Sequence, residues 1–257
     1  MKFSQQFFLS AGDCNAEGEL SLPVLTSKLI DIATAHANQL GIGNPDMPDD
    51  HSGWVLSRLT IEMTAYPVMD TEYSISTWVE GWNRHFSERV FCIKKSDGEI
   101  VGWARSIWMV LDTENRSNAG LDRLNFPSEW IMAKECPIAR QGKHRQIVAM
   151  DAEADSSMIL RATSPVERYR FGYADLDAYR HVNTVRYVNL LINQLSLHQH
   201  DEYMIHRLEL SFLHEGEYGK EIDILHHYAG DGESAFLLQR TEDKKDVLYS
   251  RIFLKKR

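Results

Sequence analysis

Apolar residues recur along the chain with two different spacings, and the same succession of spacings occurs twice. In 25–43, "LTSKLIDIATAHANQLGIG", Leu25, Leu29, Ile32, Ala33 and Leu40 fall on one side of a 3.6-residue turn. That spacing predicts an amphipathic helix, with Pro23 and Thr26 as start signals and Gly41 and Gly43 as stops. In the second half, Val182, Val185, Val188, Leu191, Ile192 and Leu195 predict another. Both end on the same triplet, Asn38-Gln39-Leu40 and Asn193-Gln194-Leu195. After each helix the spacing changes to two. "SRLTIEMTAYPVMDTEYSIS" (57–76) and "HRLELSFLHEGEYGKEIDIL" (206–225) alternate as half-buried strands do.

A shift of 149 positions places Arg58 on Arg207, Leu59 on Leu208, Glu72 on Glu221 and Ile75 on Ile224. Further strands follow in both halves. "HFSERVFCIKK" and "EIVGWARSIWMVLD" flank the hairpin signal Ser96-Asp97-Gly98. "SAFLLQR" and "DVLYSRIFLKK" flank a charged turn. A short strand is expected ahead of each helix, in 1–10 and in 162–175. The chain therefore reads as a duplication: 1–125, a linker 126–160, and 161–257. Within the linker, Ser128 is expected to open a short helix. The fold class is α+β, two tandem hotdog units, each a long central helix wrapped by an antiparallel β-sheet.

With 257 residues, 43% of them hydrophobic and 25% charged, the chain is an ordinary globular one. No apolar run nears the roughly 20 residues a bilayer requires. The patch Phe7 to Leu9 is too short for a secretory signal core, so a cytoplasmic location and no membrane partner are expected. A net charge of −9 argues against nucleic acid as a partner. The three scattered cysteines suggest neither disulfides nor a zinc site, and the histidine pairs lack acidic company, so no metal is expected. One local stretch departs from the acidic balance: "ARQGKHRQ" (139–146) carries Arg140, Lys143, His144 and Arg145 without an acid.

The halves differ in chemistry. The first helix enters through "LPVLTSK". The second enters through Asp175, Asp177, Tyr179, His181 and Asn183, and Glu215 stands where the first half has Tyr66. One set of titratable groups in a duplicated fold points to one active site per pair. A helix N-terminus favours developing negative charge, a carboxylate orients or deprotonates water or attacks a carbonyl, and a histidine handles protons near neutrality. Together these fit acyl transfer to water, ester or thioester hydrolysis. Asp175 and Asn183 serve equally well as turn and helix caps.

Asp175-Leu176-Asp177, His181-Val182-Asn183 and Tyr187, with "WVLSRLTIEMTAYP" and "ISTWVEGW" in the first half, resemble the acyl-ACP thioesterases of plants and bacteria. The resemblance covers nearly the whole chain and is weakest in 113–160. It implies hydrolysis of fatty acyl-ACP to free fatty acid and acyl carrier protein, with no cofactor. It assigns catalysis to Asp177, His181 and Glu215. It places Tyr179 and Asn183 at the substrate, lines an acyl pocket with Ile30, Ile32, Ala33 and Ala37, and leaves Arg140, Lys143 and Arg145 to dock the acidic carrier. The family usually has asparagine where this chain has Tyr179, and a small or thiol residue at 216, here Gly216. An acyl-CoA thioesterase, a hotdog dehydratase and a non-catalytic acyl-chain binder stay open, as does a monomer or a homodimer.

Overall fold

The computed structural model describes residues 1–47, 51–112, 114–115, 117–124, 126–141, 165–230 and 232–257. Two compact units divide the chain, Met1–Ala139 and Arg140–Arg257.

In the first unit, strand β1 (Phe3–Phe8) precedes helix α1 (Leu22–Gln39). Strands β2 (Ser52–Met63), β3 (Glu72–Trp82), β4 (Ser87–Lys95) and β5 (Ile100–Asp112) follow, with the two-residue β6 (Ser117–Asn118) at the end. The antiparallel order is β1-β3-β4-β5-β2, and β6 pairs β5. Helix α1 starts at Leu22, one residue before Pro23, the earlier of the two expected start signals. Ser21 caps it, its hydroxyl accepting the Val24 N–H at 3.4 Å, and Pro23 sits in the first turn where no N–H is needed. Gly41, at φ 68°, turns the chain out of the helix as a left-handed residue must. Leu25, Leu29, Ile32, Ala33 and His36 form the buried side, and α1 lies against β1 and β3. Each fully buried Leu or Ile there contributes about 2 kcal/mol.

Residues 126–139, expected to lie in the linker, instead belong to the first unit. Phe126 stacks on Trp82 with centroids 3.9 Å apart, and the Met132 N–H donates to the Val79 carbonyl. Glu80 Oε1 accepts the N–H groups of Glu135 and Cys136, and Ile138 is buried. The apolar residues of this strap follow neither helical nor strand spacing, which is why they read as a linker. The expected helix at Ser128 is one 3₁₀ turn, Ser128–Trp130. Residues 142–164, which take in the linker from 142 to 160, lie outside the described residues.

The second unit holds β7 (Glu167–Arg170), α2 (Thr184–Ile192), α3 (Leu197–Glu202), β8 (Tyr203–Phe212), β9 (Glu221–Gly230), β10 (Glu233–Arg240) and β11 (Asp246–Lys256). Its order, β7-β9-β10-β11-β8, repeats that of the first unit strand for strand. Leu59 pairs Ser106 and Leu208 pairs Ile252, so the residues matched by the 149-position shift occupy matching ladder positions. The second helix is shorter than its apolar spacing suggests. Val182 precedes the Asn183 cap, its N–H donating to the Gly216 carbonyl. Asn193 ends the helix, and Ser196 with Gln199 forms a capping box that starts α3 separately.

Candidate active site

The loop 173–183 is built by its own polar side chains. Asp175, 3% exposed, accepts the Gly172 N–H at 2.7 Å and the Tyr169 hydroxyl at 3.0 Å, and pairs with Arg186 Nε of α2 at 2.5 Å. It is a structural tie that fixes the loop to the first turn of α2. Asp177 ties the next turn. Its Oδ1 accepts the N–H groups of Tyr179 at 2.8 Å and His181 at 3.0 Å, while its own N–H donates to the His181 carbonyl. Between them Arg180 takes φ 65°, a left-handed conformation that costs a non-glycine residue about 1 kcal/mol. The carboxylate bonds of Asp177 offset that strain. Asn183 caps α2, its Oδ1 accepting the Val185 N–H at 2.9 Å.

The loop presents His181 to the segment joining β8 and β9. His181 Nε2 lies 3.5 Å from Glu215 Oε2, with both side chains partly open, 43% and 37% exposed. The His181–Glu217 bridge and the Val182–Gly216 bond align the two backbones. Arg240 Nη2 donates to the Glu215 carbonyl at 2.9 Å and holds that segment from behind. Gly216 is required here. A Cβ on it would stand 2.5 Å from the Tyr187 hydroxyl and 2.8 Å from Val182 Cγ2. Burial pushes the Tyr187 phenol above its ordinary range, so it remains protonated beneath the site. Tyr179 is 66% exposed.

Of the expected site residues, the structure brings His181 and Glu215 together across 34 positions of sequence, with Asp177 holding His181. Asn183 is a helix cap. Ile30, Ile32, Ala33 and Ala37 all lie on α1: Ile32 and Ala33 are buried, Ile30 and Ala37 half-buried, and Ala37 packs beside Leu40 and Val79. Arg140 is exposed, and Lys143 and Arg145 lie outside the described residues. Sequence reasoning missed Arg240, Arg186 and Tyr169, which position the loop and Glu215. Their only sequence signal was charge or a hydroxyl at a strand or helix end. The three cysteines are free thiols. No helix among the described residues is long and apolar enough to cross a membrane.

The model of the acyl-ACP thioesterase N-terminal domain matches residues 1–122, and that of the acyl-ACP thioesterase C-terminal domain matches 160–252. The chain belongs to the acyl-ACP thioesterase family. It is 21% identical to the chloroplastic palmitoyl-acyl carrier protein thioesterase of Gossypium hirsutum over 83% of its length and 22% identical to the chloroplastic oleoyl-acyl carrier protein thioesterase of Coriandrum sativum over 88%. It spans 52% and 62% of those two proteins. Its structure is similar to that of an acyl-ACP thioesterase from Bacteroides thetaiotaomicron, with TM-score 0.85 and 26% identity over 99% of this chain and 98% of that one. The 12:0-ACP thioesterase of Umbellularia californica superposes with TM-score 0.80 at 16% identity, over 100% and 98% of the two chains, and shows the fold.

Proposed function

We propose that the protein hydrolyses fatty acyl-ACP to free fatty acid and acyl carrier protein, and that each unit is a hotdog unit, the second catalytic and the first lining the acyl pocket with Ile30, Ile32, Ala33 and Ala37. The observation that carries this reading is the His181–Glu215 pair beside the N-terminus of a nine-residue helix. Glu215 accepts a proton from water as the water oxygen attacks the thioester carbonyl carbon. The oxyanion that forms is stabilised at the N-terminus of α2. The C–S bond then breaks, and the departing sulfur takes the proton back through His181. Asp177, with one oxygen already bonded to two backbone N–H groups, is a positioning residue for His181 rather than the group that attacks. Tyr179 replaces the family's asparagine with a side chain turned largely to solvent, so in this reading Asp177, His181 and Glu215 suffice.

Thiol release from a panel of acyl-ACPs tests the reading. His181→Ala and Glu215→Ala lower kcat by roughly 10²–10⁴-fold, the usual weight of general acid–base catalysis, with the fold intact. Tyr179→Asn changes it by only about twofold, the scale of a surface substitution. Faster turnover of acyl-CoA than of acyl-ACP would redirect the substrate assignment. Acyl binding without turnover in the wild type would sink the hydrolase reading and leave an acyl-chain binder.

A further inference from the structure

Tyrosine is distributed unevenly over the surface. Three tyrosines are exposed, Tyr173 at 87%, Tyr179 at 66% and Tyr218 at 65%, and all three lie on the segments that build the candidate site. Elsewhere among the described residues the tyrosine side chains are buried or half-buried. The segments are tied to one another. The His181–Glu217 bridge holds the loop 177–183 to the segment after β8. The Gly219 N–H donates to the Phe171 carbonyl at 2.9 Å, and the Phe171 N–H donates to the Lys220 carbonyl at 3.0 Å. Tyr218 stands between these two ties, with Tyr179 beside the first and Tyr173 beside the second. Three exposed rings are thereby gathered around the His181–Glu215 pair, all within the second unit.

Two arginines complete this rim. Arg170 Nε donates to the Gly219 carbonyl at 3.2 Å, and Arg180 forms the tip of the Asp177–His181 turn. Both are exposed, and neither has an ion-pair partner among the described residues. The neighbouring acids are engaged. Asp177 Oδ1 accepts two backbone N–H groups, Glu215 faces His181, and Glu217 Oε1 lies 3.9 Å from Arg240 Nη2. Lys220 pairs with Glu242 at 2.8 Å. The unspent charge of the rim is therefore positive, on a chain whose net charge is −9. Arg180 also holds φ 65°, a backbone that glycine would adopt without strain. Non-glycine residues held in this way cluster at active sites and ligand contacts. Tyrosine and arginine are the side chains that carry protein–protein contacts: a stiff ring of large area and a planar charged fork lose little freedom on binding.

We infer that this rim is the docking surface for the carrier protein of the substrate. The rings pack on apolar side chains of the carrier, and Arg170 and Arg180 pair with its acidic ones. The inference rests on the proposed hydrolysis of acyl-ACP. A thioester is cleaved while still attached to its carrier, so the carrier comes to rest on the surface that adjoins His181 and Glu215. The basic stretch 139–146 adds attraction on approach, whereas the rim supplies contact area and orientation.

The test uses the whole protein. Acyl carrier protein bearing no fatty acid is the binding probe. Two substrates are compared, acyl-ACP and the same acyl group on N-acetylcysteamine, a small thiol with no protein attached. The variants are Tyr173→Ala combined with Tyr218→Ala, and Arg180→Gly, which removes the charge and relieves the backbone. Each is expected to weaken carrier binding about tenfold in calorimetric titration and to raise KM for acyl-ACP by a similar factor. Turnover of acyl-ACP at saturation and kcat/KM for the small thioester are expected to stay within about twofold of the wild type. Carrier binding that is unchanged in both variants overturns the inference and leaves the hydrolase reading intact. An equal fall in kcat/KM for the small thioester also overturns it, because the rim would then act on the acyl thioester itself. Carrier binding that depends on the rim, without hydrolysis of either substrate, would remove the hydrolase reading and leave the docking surface standing.

Discussion

His36 is an ordinary histidine in the sequence and an unusual one in the fold. It sits in the last turn of α1, 1% exposed, stacked on Phe3 and bonded to Arg89. Nothing in the sequence named its partner, because Arg89 lies 53 positions away in another element. The same limit hid Arg240 behind Glu215. His181 and Glu215 were legible for a different reason: the second half has titratable groups where the first has none. The burial of His36 has a measurable consequence. Burial, then Arg89, lower its folded pKa to about 3 from an unfolded 6.5. Between those values the unfolded chain binds a proton that the folded chain refuses. The stabilising contribution is complete above pH 6.5 and is lost as pH falls toward 3, at about 1.4 kcal/mol per pH unit. Thermal unfolding followed from pH 7.5 to 4.5 should show a clear fall in Tm, and His36→Gln should flatten that part of the curve. A wild-type Tm indifferent to pH across this window would mean that the imidazole is solvated in the folded protein.

At the scale of elements, the helices were legible in kind and less so in extent. The apolar residues Val182 and Leu195 fit the helical spacing of α2, yet the helix runs only Thr184–Ile192. Local hydrogen bonds outrank periodicity at both ends: Asn183 caps the start, and the Ser196–Gln199 box starts α3 afresh. What periodicity could not reveal is how closely α2 meets the segment after β8. Gly216 has Tyr187, Val182 and Phe171 around the place a side chain would occupy, at 2.5, 2.8 and 3.0 Å. A thiol side chain at this position has no room here. Gly216→Ala is expected to destabilise the second unit by about 1–3 kcal/mol, the ordinary cost of overpacking. Tyr187→Phe removes the nearest atom, so the double variant should recover part of the loss. A denaturant-unfolding cycle on the four proteins measures the coupling. Strict additivity would show that the Tyr187 hydroxyl moves aside freely, and that the glycine reflects something other than close approach.

At the scale of the molecule, duplication explains the shared strand order, and it was legible from Arg58/Arg207 and Leu59/Leu208 before any strand was placed. Charge is the other whole-molecule property, and it sets a problem for carrier recognition. In the proposed function, a chain of net charge −9 approaches an acidic carrier protein. Two effects oppose each other. Repulsion between net charges acts over the full width of both molecules. Attraction to the basic stretch 139–146, if Arg140, Lys143 and Arg145 dock the carrier as proposed, acts only at contact. The Debye length decides between them: at about 10 Å in 0.1 M salt, repulsion across the molecules is already screened, while charges in contact still interact. Above that concentration the local stretch dominates, and added salt weakens it. KM for acyl-ACP is therefore expected to rise severalfold between about 0.1 and 0.5 M salt while kcat holds. Neutralising Arg140, Lys143 and Arg145 together should raise KM at low salt and flatten its salt response. Acyl-CoA, which does not present a protein surface, should show a much weaker dependence. A KM for acyl-ACP that is flat in salt, or that is the same in the triple variant, would move carrier docking away from 139–146.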